Sequence, residues 1–322
     1  MGKRFFSQIY EVIMFTHVFA AAPILALFLI GYLMRRIHFF KDGTLADIKK
    51  FVSYVSLPAL LFNAFLSLEI QAKHTLMLAV VYLMCVVMIL IGKTVARVAS
   101  IKSPLFPLMM GGFEMGMFGY ALFISLFGVE HLGKIAFLTI GQTIFVFTIL
   151  ISSVMGLHSG KQSLATGLKR FFTSPVILSI IAGIVVGQFK PVIGDNAALG
   201  AIKNLIGLLG SMTIPLITIT IGYGISISRE GLGLSIGTIL VRKTFLVIIA
   251  LAINTYIIDG LLQMESMYRY AMLALALAPP PFVLSVFIHP DDHENLGYIN
   301  RTISLDCLVS IVLTIVAVTL YR

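Results

Sequence analysis

The chain has 322 residues, of which 59% are hydrophobic and 11% charged, and a formal net charge of +9; its mean hydropathy is +1.02. So few polar groups cannot cover a water-soluble core, so the composition excludes a soluble domain and specifies a polytopic membrane protein. The 23 Lys and Arg against 14 Asp and Glu read as the basic bias of cytoplasmic loops, and not as a surface for nucleic acid.

The first apolar run, Val12 to Met34, follows Lys3 and Arg4 and stops at Arg35 and Arg36. The segment "FAAAP" offers small residues of the kind a signal peptidase cuts, but a run of this length is a full span with a charged stop, so it reads as a retained first helix. Nine further runs follow, at 48–68, 75–97, 103–128, 132–157, 172–189, 203–226, 240–262, 268–288 and 298–320. Ten membrane-spanning helices are therefore expected, with no room for a soluble domain between them. Cys85 and Cys307 lie inside apolar runs without metal-ligand spacing and read as small core residues.

The longest polar interruption, His158 to Arg170, separates the fifth span from the sixth. It divides the chain into a first five-helix repeat, 1–157, a linker, 158–171, and a second repeat, 172–322. The halves resemble each other. In the first span Pro23 stands eight residues before Gly31, and in the sixth Pro175 stands eight before Gly183; "SLPALLF" around Pro58 answers "TIPLITI" around Pro215. Because five is odd, the second repeat enters from the opposite side, giving inverted repeats. Assigning loops to sides puts fifteen basic residues, Arg242 and Lys243 among them, on one side and eight on the other. The richer side is the cytoplasmic one, so the linker faces the cytoplasm and both termini face outward in a multi-pass cell-membrane protein.

The fourth span of each half is interrupted. "GGFEMGMFGY" sets Gly111, Gly112, Gly116 and Gly119 in one stretch, and each interior glycine costs a helix about 1 kcal/mol relative to alanine. In the ninth span "APPPF" carries Pro280 and Pro281, which remove backbone donors and push the preceding residues out of the helical region. Both helices are expected to unwind near the midplane, where bare backbone survives only against protein or a water-filled cavity. Matched interruptions in two halves point to a transporter's binding site.

These residues resemble the auxin efflux carrier family, which includes bacterial permeases and the plant PIN-formed exporters. The resemblance runs through "LIGYLMRR", "FVSYVSLPALLFNAF", the glycine-rich fourth span, "SPVILSIIAGIVVG", "LGSMTIPLITITIGYGIS" and the proline-broken ninth span. It implies a fold related to bile acid sodium symporters. Helices 1, 2, 6 and 7 would form a dimeric scaffold, and helices 3–5 and 8–10 a transport domain that moves as an elevator, with broken helices 4 and 9 crossing at the substrate site. The chain departs from the family at that site: Glu114 stands where the family commonly has Asn, Ala121 where it has Pro, and Asp306, Cys307 and Ser310 replace a Ser-Thr-x-x-Ser pattern.

Glu114 lies 11 residues past Ser103, about 16 Å at 1.5 Å per residue, and Asp306 lies 9 past Gly297, about 13 Å. Both are deep in a core about 30 Å thick, with no lysine or arginine expected at that depth to neutralise them. Such carboxylates mark ion or proton pathways, so they are candidates for a coupling H⁺ or Na⁺ or for a cationic substrate. Asn63, Gln142 and Thr143 either line the same cavity or form interhelical hydrogen bonds. His17 and His131 read as packed or interfacial side chains, and "HPDDHE", His289 to Glu294, as a solvated turn. With no HExxH, GxGD or Walker motif, an intramembrane enzyme and an ATP-driven pump are set aside. A channel or receptor leaves the inverted halves unexplained. The expected activity is secondary transport of a small organic anion such as a carboxylate, with a neutral or cationic solute as the alternative. The expected site comprises Glu114, Gly116, Gly119, Pro280, Pro281, Asp306, Ser310, Asn63 and Gln142, with no cofactor.

Overall fold

A computed structural model describes residues 22–23, 25–41, 43–66, 72–157, 164–193, 197–224, 231–288 and 292–320. His17, the start of the first expected span and His289 to Asp291 lie outside the described residues. Every regular element among the described residues is helical. They are α1 (25–36), α2 (Thr44–Phe51), α3 (Leu57–Phe65), α4 (Ala72–Val98), α5 (Phe106–Met110), α6 (Tyr120–Phe127), α7 (Leu132–Phe145), α8 (Ile151–Met155), α9 (Leu164–Phe172), α10 (Pro175–Ile193), α11 (Ala197–Ser211), α12 (Thr213–Gly224), α13 (Leu232–Ala252), α14 (Met267–Leu277), α15 (Val283–Val286) and α16 (His293–Leu320). Wider π turns continue three of them: Val52–Ser56 joins α2 to α3, Val146–Leu150 joins α7 to α8, and Ile253–Leu261 extends α13.

Five continuous helices among the described residues are long and apolar enough to cross a membrane: Lys73–Val98, Val129–Met155, Gly200–Gly224, Leu232–Leu261 and His293–Ala317. They fall on the third, fifth, seventh, eighth and tenth expected spans. The fourth and ninth do not qualify because they are broken, and the second opens on the charged turn of Asp47, Lys49 and Lys50. The eighth span differs most from expectation, since its helix begins at Leu232 and not near 240. The linker is not wholly irregular either: Leu164, Leu168 and Phe171 recur at helical spacing and form α9. Phe171 of α9 packs edge-on against Phe147, with ring centroids 6.4 Å apart.

Helices that approach this closely need small residues at the contact. A Cβ on Gly31 of α1 would lie 2.1 Å from the Ile219 carbonyl oxygen of α12, and one on Gly222 of α12 would lie 2.0 Å from the Phe28 carbonyl oxygen. On the other side Gly183 of α10 faces the Phe62 carbonyl at 2.7 Å and Gly187 faces that of Leu66 at 2.8 Å. Thus α1 lies on α12 and α10 on α3, with α11 also packed on α3. The remaining long helices pack mainly among themselves: α4 on α5 and α7, α14 on α7 and α13, and α16 on α13. Of the five long spans, the one containing α7 is the most enclosed. Cys85 and Cys307 are free, buried core thiols.

Candidate functional site where two broken helices meet

Both interruptions are present, and they touch. The chain leaves α5 in extended conformation at Gly111 (ψ 150°) and leaves α14 in the same way at Ala278 (ψ 150°). Gly112 then takes φ +76°, a left-handed conformation that only glycine adopts at low cost. Helix resumes at Met115 on one side and at Val283 on the other. Ala278 is extended because Pro279 follows it, and prolines at 279–281 supply no backbone donors.

Two hydrogen bonds tie the breaks together. The Glu114 backbone N–H donates to the Pro279 carbonyl at 2.8 Å. The Phe282 N–H donates to Glu114 Oε2 at 2.8 Å. Glu114, Pro280 and Pro281 are buried. Gln142 of α7 supports the first break by accepting the Phe113 N–H at 3.2 Å. Gly119 donates to the Glu114 carbonyl at 3.0 Å, and Gly116 leaves room beside Leu57 of α3. A narrow cleft lined by Phe28, Phe118, Ala121, Leu122, Thr218, Ile221 and Ile311 runs beside this segment. Lys49 of α2 reaches over the Phe282 ring, its Nζ 5.8 Å from the centroid.

Cations do lie at this depth, contrary to the expectation from the sequence. Arg242 and Lys243 are buried in the middle of α13. A span starting at 240 places both at a helix boundary; the helix begins at Leu232 and carries them inward. They also leave the loop tally, so thirteen basic residues remain on the expected cytoplasmic side against eight. Adjacent residues on a helix point about 100° apart, and the two side chains divide the crossing between them. Arg242 Nη1 donates to the carbonyls of Met109 (3.0 Å) and Met110 (2.5 Å), and Nη2 to those of Gly112 (2.6 Å) and Ala278 (3.4 Å). Its guanidinium also stacks over Phe113 at 5.2 Å. Lys243 Nζ donates to the carbonyls of Leu277 (2.6 Å) and Ala278 (3.1 Å) and to Ser310 Oγ (3.0 Å).

The last carbonyls of a helix lack intrahelical donors and carry the negative end of its dipole. Arg242 and Lys243 satisfy those of α5 and α14 with positive charge. Asp306 balances them: its Oδ1 is 2.8 Å from Lys243 Nζ, and its Oδ2 is 3.9 Å from Arg242 Nε. Ser310 Oγ donates to Asp306 Oδ1 at 3.3 Å. Burying such ions is offset only by this many partners, and removing one partner of such a pair costs about 3–5 kcal/mol.

The site therefore brings together Glu114, Gly116, Gly119, Pro280, Pro281 and Gln142, with Asp306 and Ser310 linked to the second break through Lys243. Asn63 stands apart, its amide beside Gly207 of α11. Thr143 donates to the Thr139 carbonyl within its own helix. His131 lies at 3.3 Å from Lys134, which pairs with Glu265 away from the crossing. Asp292 accepts from the Asn295 N–H at the start of α16, and no cluster of metal-ligating side chains occurs among the described residues. Sequence reasoning missed His74, which is bonded to Tyr268 at 2.6 Å, as well as Arg242 and Lys243. The last two were legible in "LGLSIGTILVRKTF", where the apolar run starts well before the charges.

The uncharacterized transporter MJ1031 of Methanocaldococcus jannaschii is 24% identical to the chain over 265 residues, 80% of this chain and 83% of that protein. Protein PIN-LIKES 7 of Arabidopsis thaliana is 29% identical over 145 residues, 39% of this chain and 36% of that protein. The chain is similar to both of these transporters, one of them PIN-like. Both relatives are transporters by name, and the chain itself has long apolar helices fit to cross a membrane. No family model matches the chain. Glu114, where the chain departs from the pattern it resembles, sits where the two broken helices meet, and Asp306, the other departure, is linked to that point through Lys243.

Proposed function

We propose that this protein is a secondary carrier for a small organic solute, with the crossing of the two broken helices as its substrate site. The observation that carries the reading is the reciprocal pair of hydrogen bonds between Glu114 and the Pro279–Phe282 turn. Irregular backbone at membrane depth is tolerated only around a cavity or inside protein, and in transporters it supplies the substrate and ion sites. The solute assigned is an organic anion such as a carboxylate, entering beside Lys49 and the cleft next to Phe118. Ten spans in two inverted repeats are part of the proposal. Its support is that Gly31 packs the first span on the seventh while Gly183 packs the sixth on the second. Those four spans form the scaffold of a homodimer, and the other six carry the crossing across the membrane as an elevator. Both termini face outward.

The proton-carrying role is assigned to Glu114, which lies in the first break and accepts the Phe282 N–H of the second. A second reading, transport of a neutral or cationic solute, is favoured by the same carboxylate, because an anion entering the crossing meets Glu114. Uptake by proteoliposomes separates the two, using a panel of organic acids and amines with and without imposed pH and Na⁺ gradients. Saturable uptake of acids supports the first reading and uptake of amines the second. Leakage of the whole panel in proportion to lipid solubility contradicts both. Glu114→Gln is expected to retain exchange and lose accumulation driven by a pH gradient.

A further inference from the structure

The Lys243 ammonium sits in a cage of four oxygens. They are the carbonyls of Leu277 and Ala278, Ser310 Oγ and Asp306 Oδ1, at 2.6, 3.1, 3.0 and 2.8 Å. An ammonium has three donors, and here it is met by four acceptors, the arrangement suited to a spherical charge. Two of the oxygens belong to the C-terminal end of α14, whose dipole favours a cation. One belongs to a carboxylate, which supplies a single negative charge. Hard cations take such oxygen sets, and rings of carbonyls replace an alkali ion's hydration shell. Broken-helix C-terminal ends coordinate Na⁺ in transporters.

We propose that the Lys243 side chain is the tethered occupant of an alkali-cation site formed by Leu277, Ala278, Ser310 and Asp306. The wild-type protein then needs no alkali ion at this position, and shortening the lysine leaves a site that takes Na⁺ with no change in net charge. Arg242 keeps its own carbonyls at the first break, so the cage opens without releasing α5. The proposal stands on geometry independent of the transport reading, and its main readout is protein unfolding without substrate, so the two fail separately.

The test is thermal unfolding of purified wild type, Lys243→Ala, Lys243→Gln and Lys243→Ala/Asp306→Asn, with Na⁺ exchanged for choline at constant ionic strength. Wild type is expected to unfold at the same temperature in both salts. Lys243→Ala is expected to unfold earlier in choline and to recover saturably with Na⁺, as a ligand bound by the folded state requires. Lys243→Gln, whose amide fills the cage, and the double variant are expected to ignore Na⁺. Stabilisation of wild type by Na⁺ overturns the proposal. So does a folded Lys243→Ala protein without a Na⁺ response, or one that fails to fold in Na⁺ as in choline.

Discussion

Arg242→Lys retains the buried charge while removing the fork that spans both breaks. The guanidinium makes four hydrogen bonds to carbonyls, on Met109, Met110, Gly112 and Ala278. A lysine ammonium is a point donor on a shorter stem and cannot serve both breaks at once. Losing two of the four bonds, each from a charged donor and worth about 1.5–3 kcal/mol, weakens the crossing by about 3–6 kcal/mol. Cys85 reports on this directly. Its thiol is fully buried and lies against the Gly112 backbone. In a Cys307→Ala background, labelling of Cys85 by a fluorogenic thiol reagent below the melting temperature measures local opening of the first break. At a factor of ten for each 1.4 kcal/mol, the smaller loss raises the labelling rate about a hundredfold. Helical circular dichroism should stay unchanged at the same temperature. Labelling at the wild-type rate would refute the role given to the guanidinium.

Asp306→Asn leaves Lys243 without its carboxylate and is expected to lose about 3–5 kcal/mol of stability; adding Lys243→Met should recover most of it, and a further loss in the double variant would count against the pairing. Gly31→Ala should lower the melting temperature and yield because its Cβ meets the Ile219 carbonyl at 2.1 Å, while Gly237→Ala, with open space around it, should behave as wild type. A cysteine at Ser163 should be protected from impermeant thiol reagents outside intact cells and one at Gly2 labelled; the reverse pattern contradicts the orientation.

The helical class, the positions of five spans and both interruptions were legible because each rests on local chemistry. Apolar run length marks spans, glycine accumulation at 111–119 weakens a helix wherever it occurs, and consecutive prolines at 279–281 forbid one. The contact between the breaks was accessible only through the repeat symmetry, since Glu114 and Phe282 are 168 residues apart. Arg242 and Lys243 were misplaced for a physical reason. Charges usually mark the end of a span, so a span of 240–262 sets the two cations in its first turn. What keeps them inside is a set of carbonyls and a carboxylate from three other segments, and a hydropathy pattern does not record partners so distant in sequence. The direction of a side chain is equally hidden: Asn63 shares the second span with Leu57, which borders Gly116, yet its amide faces α11.

The central claim is that the crossing moves relative to α3 and α10 during transport. Phe65 of α3 and Phe137 of α7 face each other across that boundary, with ring centroids 6.2 Å apart, and neither touches the breaks through any contact described above. Cysteines at these two positions, in a background lacking Cys85 and Cys307, can be joined by a short bifunctional thiol reagent cleavable by reductant. Solute uptake into proteoliposomes should proceed before crosslinking, stop when the pair is joined and return on reduction. Undiminished uptake by fully crosslinked protein would contradict the account.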